Sequence, residues 1–273
     1  MSVGPALGQE AEAWLRLGAG LPAGVVRLVL ADVDGVVTPG EGQPARLSVL
    51  ERLAATNAAA LADPRVPAVT LCTGRQAPYV EVMAQMTGVF LPCSFEHGAG
   101  LFLPRAFKYV FHPRLGDDHG FGQVAAVRAA LDLRGRAFVQ PGKEAMVTLF
   151  PLGGTPLEML AEEARRAVGR AGLDFVVELN ATGVEIRPRG IDKGEGCRWL
   201  AASLGLGLDR LAGVGDSDPD LAYLTLPGLG LSAAPRNATP GVRAAVSYVS
   251  PADDGEGLLD SIARVQARNR ACR

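Results

Sequence analysis

The sequence predicts an α/β protein, a doubly wound, mainly parallel sheet interrupted by a smaller α+β insert. Three observations predict it. Apolar runs and amphipathic segments alternate from Val26 to about residue 104, the order a parallel sheet with crossover helices requires. Between residues 105 and 189 paired strand-like runs replace single ones, and the alternation resumes after Gly190. Several of the apolar runs end in polar, glycine-bearing segments, "DVDG", "TLCTGR" and "GVGDSDPD", where strand ends in open α/β sheets face a ligand crevice. The predicted organisation is a lead-in at 1–25, a core domain at 26–104 and 190–273, and an inserted domain at 105–189.

Each element has its own justification. The lead-in through Ala23 reads either as a helix packed on the core around Trp14 or as a tail. Val26 to Ala31 is short, aliphatic and bounded by glycines, which marks a buried strand. A helical segment follows around Ser48 to Leu61, then a strand in "PAVTLCTGR" and a helix in "APYVEVMAQM". The insert reads as helix His119–Leu131, strands Ala137–Gln140 and Ala145–Phe150, helix Thr155–Ala171, and strands Phe175–Leu179 and Val184–Arg187. In its second helix Thr155, Pro156 and Glu158 offer an N-cap, a first-turn proline and a capping-box acid, before the apolar stripe Leu157, Leu160, Ala161, Ala164 and Val168. Past Gly190 come a helix to about Leu204, a strand Leu211–Gly215, a helix from Pro219, a strand Leu229–Ala233, a helix near Val242 and a last helix from Gly255.

Composition removes several classes of function. A chain of 273 residues, 48% hydrophobic and 21% charged, is ordinary for a soluble enzyme or binding protein. The formal net charge of −2 offers no general basic surface, so nucleic acid is not an expected partner. Cys72, Cys93, Cys197 and Cys272 are scattered without a CxxC pair, which fits reduced thiols and a cytoplasmic location. No apolar run approaches a membrane span, and Glu10 and Glu12 precede the first arginine, so neither an anchor nor a signal peptide is expected. All but Lys108, Lys143 and Lys193 of the 27 basic residues are arginine, which draws attention to the positions that keep lysine.

Polar residues converge on one edge of the predicted sheet. Asp32 and Asp34 follow the first strand, Thr73 the second, Asp216, Ser217, Asp218 and Asp220 a later one, and Lys193 stands in "GIDKGEG" before a helix. Other motif readings fail: the aspartates from 216 to 220 lack the glycine and closing glutamate of a calcium loop, and Pro219 breaks a nucleophile elbow at Ser217. There is no GxxxxGKS/T loop, "GAGLPAG" precedes a strand instead of following it, and His97, His112 and His119 make a histidine metal site improbable. Carboxylates without histidine or thiolate suit a hard cation such as Mg²⁺, which keeps company with phosphates.

The segments "DVDGVVT", "TLCTGR", "GIDKGEG" and "GVGDSDPD" resemble, in order and placement, the four motifs of the haloacid dehalogenase (HAD) superfamily of phosphatases. The resemblance runs from Val26 nearly to the end, where "LSAAPRNATPGVRAAVSYVS" is similar to the closing segment with its turn at Asn237. It implies a Rossmann-like HAD core with an α+β cap of the type found in phosphoglycolate, sucrose-phosphate and mannosyl-phosphoglycerate phosphatases. It implies Asp32 as a nucleophile forming an aspartyl-phosphate and Asp34 as acid and then base. It further implies Mg²⁺ held by Asp32, the Asp34 carbonyl and Asp216 with Asp220 beside it, and Thr73 and Lys193 on the phosphoryl oxygens. Gly35, Gly74, Arg75, Ser217 and Asn237 are expected around the phosphate, and Lys143 and Arg187, with Glu144, toward the leaving group. Pro219 replaces the usual asparagine before Asp220, a departure that could loosen the metal site. His97 stands where asparagine is common and is read as satisfying its own loop, with substrate contact the alternative.

The resulting expectation is a Mg²⁺-dependent phosphatase, monomeric or homodimeric, acting on a small phosphorylated metabolite such as a sugar or organic-acid phosphate. The alternatives are a phosphomutase and a silent HAD-fold binding protein. Intact Asp32, Asp34, Lys193 and Asp216 argue against the silent form.

Overall fold

The computed structural model describes residues 7–272. In chain order the elements are α1 (Gln9–Leu17), β1 (Leu28–Ala31), α2 (Leu47–Ala60), β2 (Ala68–Leu71), α3 (Ala77–Met86), β3 (Cys93–Phe95), β4 (Gly100–Leu103) and β5 (Lys108–Phe111). Then come α4 (Phe121–Ala130), β6 (Ala137–Val139), β7 (Val147–Pro151), α5 (Leu157–Ala171), β8 (Phe175–Leu179) and β9 (Val184–Pro188). The chain closes with α6 (Lys193–Ser203), β10 (Leu211–Val214), α7 (Leu221–Leu224), β11 (Leu231–Ala234), α8 (Pro240–Ala245), β12 (Tyr248–Val249) and α9 (Asp254–Ala271).

The central sheet is parallel throughout, in the order β12-β11-β10-β1-β2. Its strands read as unbroken apolar runs because both faces are covered. Leu28 and Leu30 face Trp14, Leu200 and Tyr223 on one side; Val29 and Ala31 face Leu53, Val80 and Ile262 on the other. The predicted α/β class and doubly wound core are therefore observed. Two register details differ from the reading. The first strand begins at Leu28 because the Asn269 side chain satisfies the Val26 backbone, accepting from its N–H at 2.8 Å and donating to its carbonyl at 2.7 Å. The short antiparallel sheet β3-β4-β5 and the two-residue β12 were not anticipated. Of the two readings of the lead-in, a helix is found: α1 buries Trp14 against Phe90 and beneath the Arg27 guanidinium. Residues 1–6 of that segment lie outside the described residues.

The insert forms a four-stranded antiparallel sheet, β6-β7-β9-β8, with α4 and α5 on one face. Strand alternation divides its side chains: Val147, Leu149, Val184 and Ile186 pack beneath the helices, which leaves Thr148, Phe150, Glu185 and Arg187 on the opposite face. The α5 start departs from the expected capping box. The Thr155 hydroxyl donates to the Leu152 carbonyl at 2.6 Å, and no side chain caps the helix. No helix among the described residues is long and apolar enough to cross a membrane.

Candidate active site

Parallel register brings the polar residues together. Ala31 is paired with Leu71 on one side and Val214 on the other, so β2, β1 and β10 end level. The residues just beyond, Asp32, Thr73 and Asp216, therefore emerge side by side at the carboxyl edge of the sheet. They line a cavity of about 700 Å³ between this edge and the uncovered face of the insert.

Asp32 is almost wholly buried; one oxygen accepts the Val33 N–H at 2.7 Å and the other lies 2.9 Å from Lys193 Nζ. Lys193 opens α6, whose preceding Asp192 caps the helix by accepting the Glu195 N–H at 2.8 Å. Its ammonium also donates to Asp220 Oδ1 at 2.6 Å. The other Asp220 oxygen accepts the N–H groups of Asp216 and Ser217, both at 3.0 Å, and the Ser217 hydroxyl at 3.1 Å. Asp220 thus spends its acceptors on the loop and on Lys193, which leaves Asp216 free to turn toward Asp32. Pro219 does not loosen this loop: it occupies the first turn of a short 3₁₀ helix, where a missing N–H costs nothing, and the Ser217–Asp220 capping box closes around it.

Charge in this corner is unbalanced. Oxygen atoms of Asp32, Asp216 and Asp220 lie within 4.8 Å of one another, and Asp216 Oδ1 is buried without a hydrogen-bond partner. Burial and then the Asp220 charge push the Asp32 carboxyl up to about 7, against the pull of Lys193. Burial, Asp32 and Asp220 push Asp216 up to about 8. With Asp216 Oδ1 unengaged, this all-oxygen donor set fits a hard cation. Gly35 completes the cradle. It has a φ of +77°, and a Cβ there would stand 2.2 Å from Asp216 Oδ2. Asn237 ties the same turn to α9, donating to the Gly35 carbonyl at 2.9 Å and accepting the Asp254 N–H at 2.8 Å.

Asp34 points into the cavity mouth, where Arg75 grips both its oxygens at 2.7 Å. Buried Thr73 accepts the Arg75 N–H at 3.2 Å. Gly74 is required by a close approach, since a Cβ would lie 2.3 Å from His97 Nε2. His97 does more than satisfy its loop: it lines the cavity and reaches Glu185 of β9 at 2.9 Å. From the insert, buried Lys143 donates to Thr148 Oγ1 at 2.6 Å, with Glu185 3.9 Å away. Burial lowers the Lys143 ammonium's pKa, with Glu185 and Glu96 opposing.

Asp32, Asp34, Gly35, Thr73, Gly74, Arg75, Lys143, Lys193, Asp216, Ser217 and Asn237 all line this one cavity. Asp220 lies immediately behind it. Arg187 does not join them: its guanidinium is held by Glu178 at 2.6 Å and by the Ile191 carbonyl, and Glu144 is exposed. The sequence reading missed Gln140, Thr148, Glu185 and Thr182. Strand alternation could have found Glu185, which shares a face with Arg187 and pairs across the strands with Thr148.

Comparison with known proteins agrees with this geometry. Residues 158–262 match the haloacid dehalogenase-like hydrolase family, a stretch that carries Lys193, Asp216, Asp220 and Asn237. The chain is similar to the phosphoglycolate phosphatase of Pyrobaculum aerophilum, 32% identical over 124 residues, 45% of this chain and 52% of that protein. It is also similar to the phosphoglycolate phosphatase of Natronomonas pharaonis, 28% identical over 200 residues, 72% of this chain and 84% of that one. It therefore spans about half the length of the first and most of the second. The crystal structure of Thermoplasma acidophilum 0175 shares the fold, at 20% identity and a TM-score of 0.69 over 89% of this chain and 99% of that one. Fold, cavity residues and the matched segment 158–262 agree: the chain is similar to haloacid dehalogenase-like hydrolases in its fold and in the residues at its candidate site.

Proposed function

We propose that the protein is a Mg²⁺-dependent phosphomonoesterase that works through an aspartyl-phosphate on Asp32. The observation that carries this reading is the convergence of Asp32, Asp34, Thr73 and Asp216, beyond level strand ends, with Lys193 from the start of α6 at one cavity. In the first step a carboxylate oxygen of Asp32 bonds to phosphorus while the ester P–O bond breaks. Asp34 supplies the proton to the departing alkoxide. In the second step Asp34 takes a proton from water, whose oxygen attacks phosphorus and displaces the Asp32 carboxylate as phosphate forms.

Splitting the displacement requires Asp32 to be ionised and still; the Val33 N–H and Lys193 fix its two oxygens and oppose the burial that favours its protonated form. Lys193 and the Thr73 hydroxyl are placed to donate to phosphoryl oxygens; removing one preorganised donor of this kind costs roughly 3–4 kcal/mol of transition-state stabilisation. The Asp32 and Asp216 carboxylates with the Asp34 carbonyl would hold Mg²⁺, which supplies charge neutralisation at the phosphoryl group. Asp220 acts through Asp216 and Lys193, its oxygens being already engaged. Arg75 orients Asp34 by gripping both its oxygens, and it releases one of them for Asp34 to carry the proton.

The substrate is a small phosphorylated metabolite, a sugar or organic-acid phosphate, whose leaving group lies against the cap wall of Lys143, Thr148 and Glu185. The names of the phosphoglycolate phosphatase relatives support this class. Phosphate release from a panel of sugar, glycolate, glycerate and nucleotide monophosphates tests it. Chelator-sensitive turnover that disappears in Asp32→Asn is the expected result; turnover that survives either treatment would refute the mechanism.

A further inference from the structure

We infer that Glu96 is a positioning residue that fixes the cap wall, and Lys143 with it, relative to the phosphoryl site, and so determines which leaving groups are accepted. The inference rests on the phosphomonoesterase reading above. Glu96 takes no part in the chemistry and lies almost completely buried behind the cavity. Its two carboxylate oxygens each accept one backbone N–H from the insert, Glu144 at 2.9 Å and Ala145 at 2.8 Å. These amides immediately follow Lys143, whose ammonium lines the cavity. The bond from Ala145 is buried, so losing this acceptor would leave a donor unpaired away from water, which costs more than an exposed bond is worth.

The other end of this contact is anchored to the phosphate-binding loop. The Glu96 N–H donates to the Arg75 carbonyl and the His97 N–H to the Thr73 carbonyl, both at 3.0 Å. Glu96 and His97 are held at φ of +46° and +56°, left-handed values that non-glycine residues adopt at a cost, and Gly98 follows at +95°. That turn sends consecutive side chains to different elements of the cap: Glu96 to the 144–145 amides and His97 to Glu185 of β9. Gly98 is packed so closely on α6 that a Cβ would stand 2.5 Å from the Asp192 carbonyl, beside Lys193. One strained turn therefore touches the loop that carries Thr73, the helix that carries Lys193 and the segment that carries Lys143. Glu96 is the member whose bonds set the height of Lys143 above the core.

The test compares Glu96→Gln and Glu96→Ala with wild type on two substrates: the best sugar or hydroxy-acid phosphate of the panel, and acetyl phosphate, whose acetyl group carries neither a hydroxyl nor a free carboxylate for Lys143 to bind. Glutamine keeps the shape but must turn its NH₂ toward one of the two N–H donors, so it breaks the grip without emptying the site. The expected result is a rise in KM for the larger ester that exceeds any change on acetyl phosphate by roughly tenfold, the weight of about one hydrogen bond. In a Lys143→Ala background Glu96→Gln should add almost nothing, because it acts through that lysine. Equal losses on both substrates, or full additivity with Lys143→Ala, would overturn the inference. Amide exchange separates this from failure of the phosphatase reading. Faster exchange at Glu144 and Ala145 in Glu96→Gln, with Val29 and Leu30 still protected, is expected even if no ester is turned over; unchanged exchange there would overturn the inference.

Discussion

Replacing Lys193 by methionine tests the electrostatic design of the site. Methionine retains most of the buried stem but removes the ammonium that lies 2.6 Å from Asp220 Oδ1 and 2.9 Å from Asp32 Oδ2. Asp220 has no solvent exposure and Asp32 only 5%, so neither can recover the loss through water. Removing one partner of a buried ion pair typically costs about 3–5 kcal/mol, since a buried charge is left uncompensated. Two carboxylates lose their partner here, and Asp216 crowds them further. Protonation offers relief, so the cost should shrink as pH falls. Urea unfolding of wild type and variant in EDTA at pH 8 and pH 5 reads both effects. A loss of about 3–5 kcal/mol at pH 8 that narrows at pH 5 is expected. Adding Mg²⁺ at a hundredfold excess over its Kd should return about 2.7 kcal/mol by linkage to the native cluster. A loss under about 1 kcal/mol, or one equal at both pH values, would refute the reasoning.

Other consequences can be measured separately. Gly35→Ala forces a Cβ to within 2.2 Å of Asp216 Oδ2 at a left-handed φ, so Mg²⁺ affinity by calorimetry should fall at least tenfold while the fold, read by circular dichroism, persists. Lys143→Ala should raise KM for the preferred ester, whereas Arg187→Ala should leave KM within about twofold, because Arg187 is engaged by Glu178 away from the cavity. Glu96 is pushed up to about 7 by burial, against the pull of the two backbone N–H groups. The native state therefore binds its proton more tightly than the unfolded chain, and Glu96 loses stability contribution as pH rises from about 4.5 through about 7. Stability measured against Glu96→Gln should fall by on the order of 3 kcal/mol across that window; a flat difference would contradict the assignment.

The core was legible because its strands are buried on both faces and end in residues that make no sense inside a core. Asp32, Thr73 and Asp216 announce themselves by following apolar runs at once, and parallel register does the rest. Strands β3, β4 and β5 were not legible. Each has only three or four residues and sits among glycines and prolines that read as loop, and their pairing with one another is a tertiary fact. Local pattern also misled at α5, where Thr155 spends its hydroxyl on the Leu152 carbonyl.

The cap side of the site was the harder half. Glu185 alternates with buried Val184 and Ile186, which in an isolated sheet means a solvent-facing residue. Here that face is roofed by the core, and the same alternation becomes a cavity wall. Arg187 follows the identical pattern but is drawn aside by Glu178. Glu96 and His97 left no periodic signal, because their directions are set by two left-handed residues in succession.

The most direct test of the central claim is to find where the phosphoryl group goes. Asp34→Asn, which removes both the acid of the first step and the base of the second, would be mixed with Mg²⁺ and acetyl phosphate, whose acetate leaves without a proton, then quenched in acid and digested for mass spectrometry. The mechanism predicts one phosphoryl group on the peptide that carries Asp32 and none when Asp32→Asn is added. A phosphoryl group on any other residue, or normal turnover with Asp32 replaced, would contradict it.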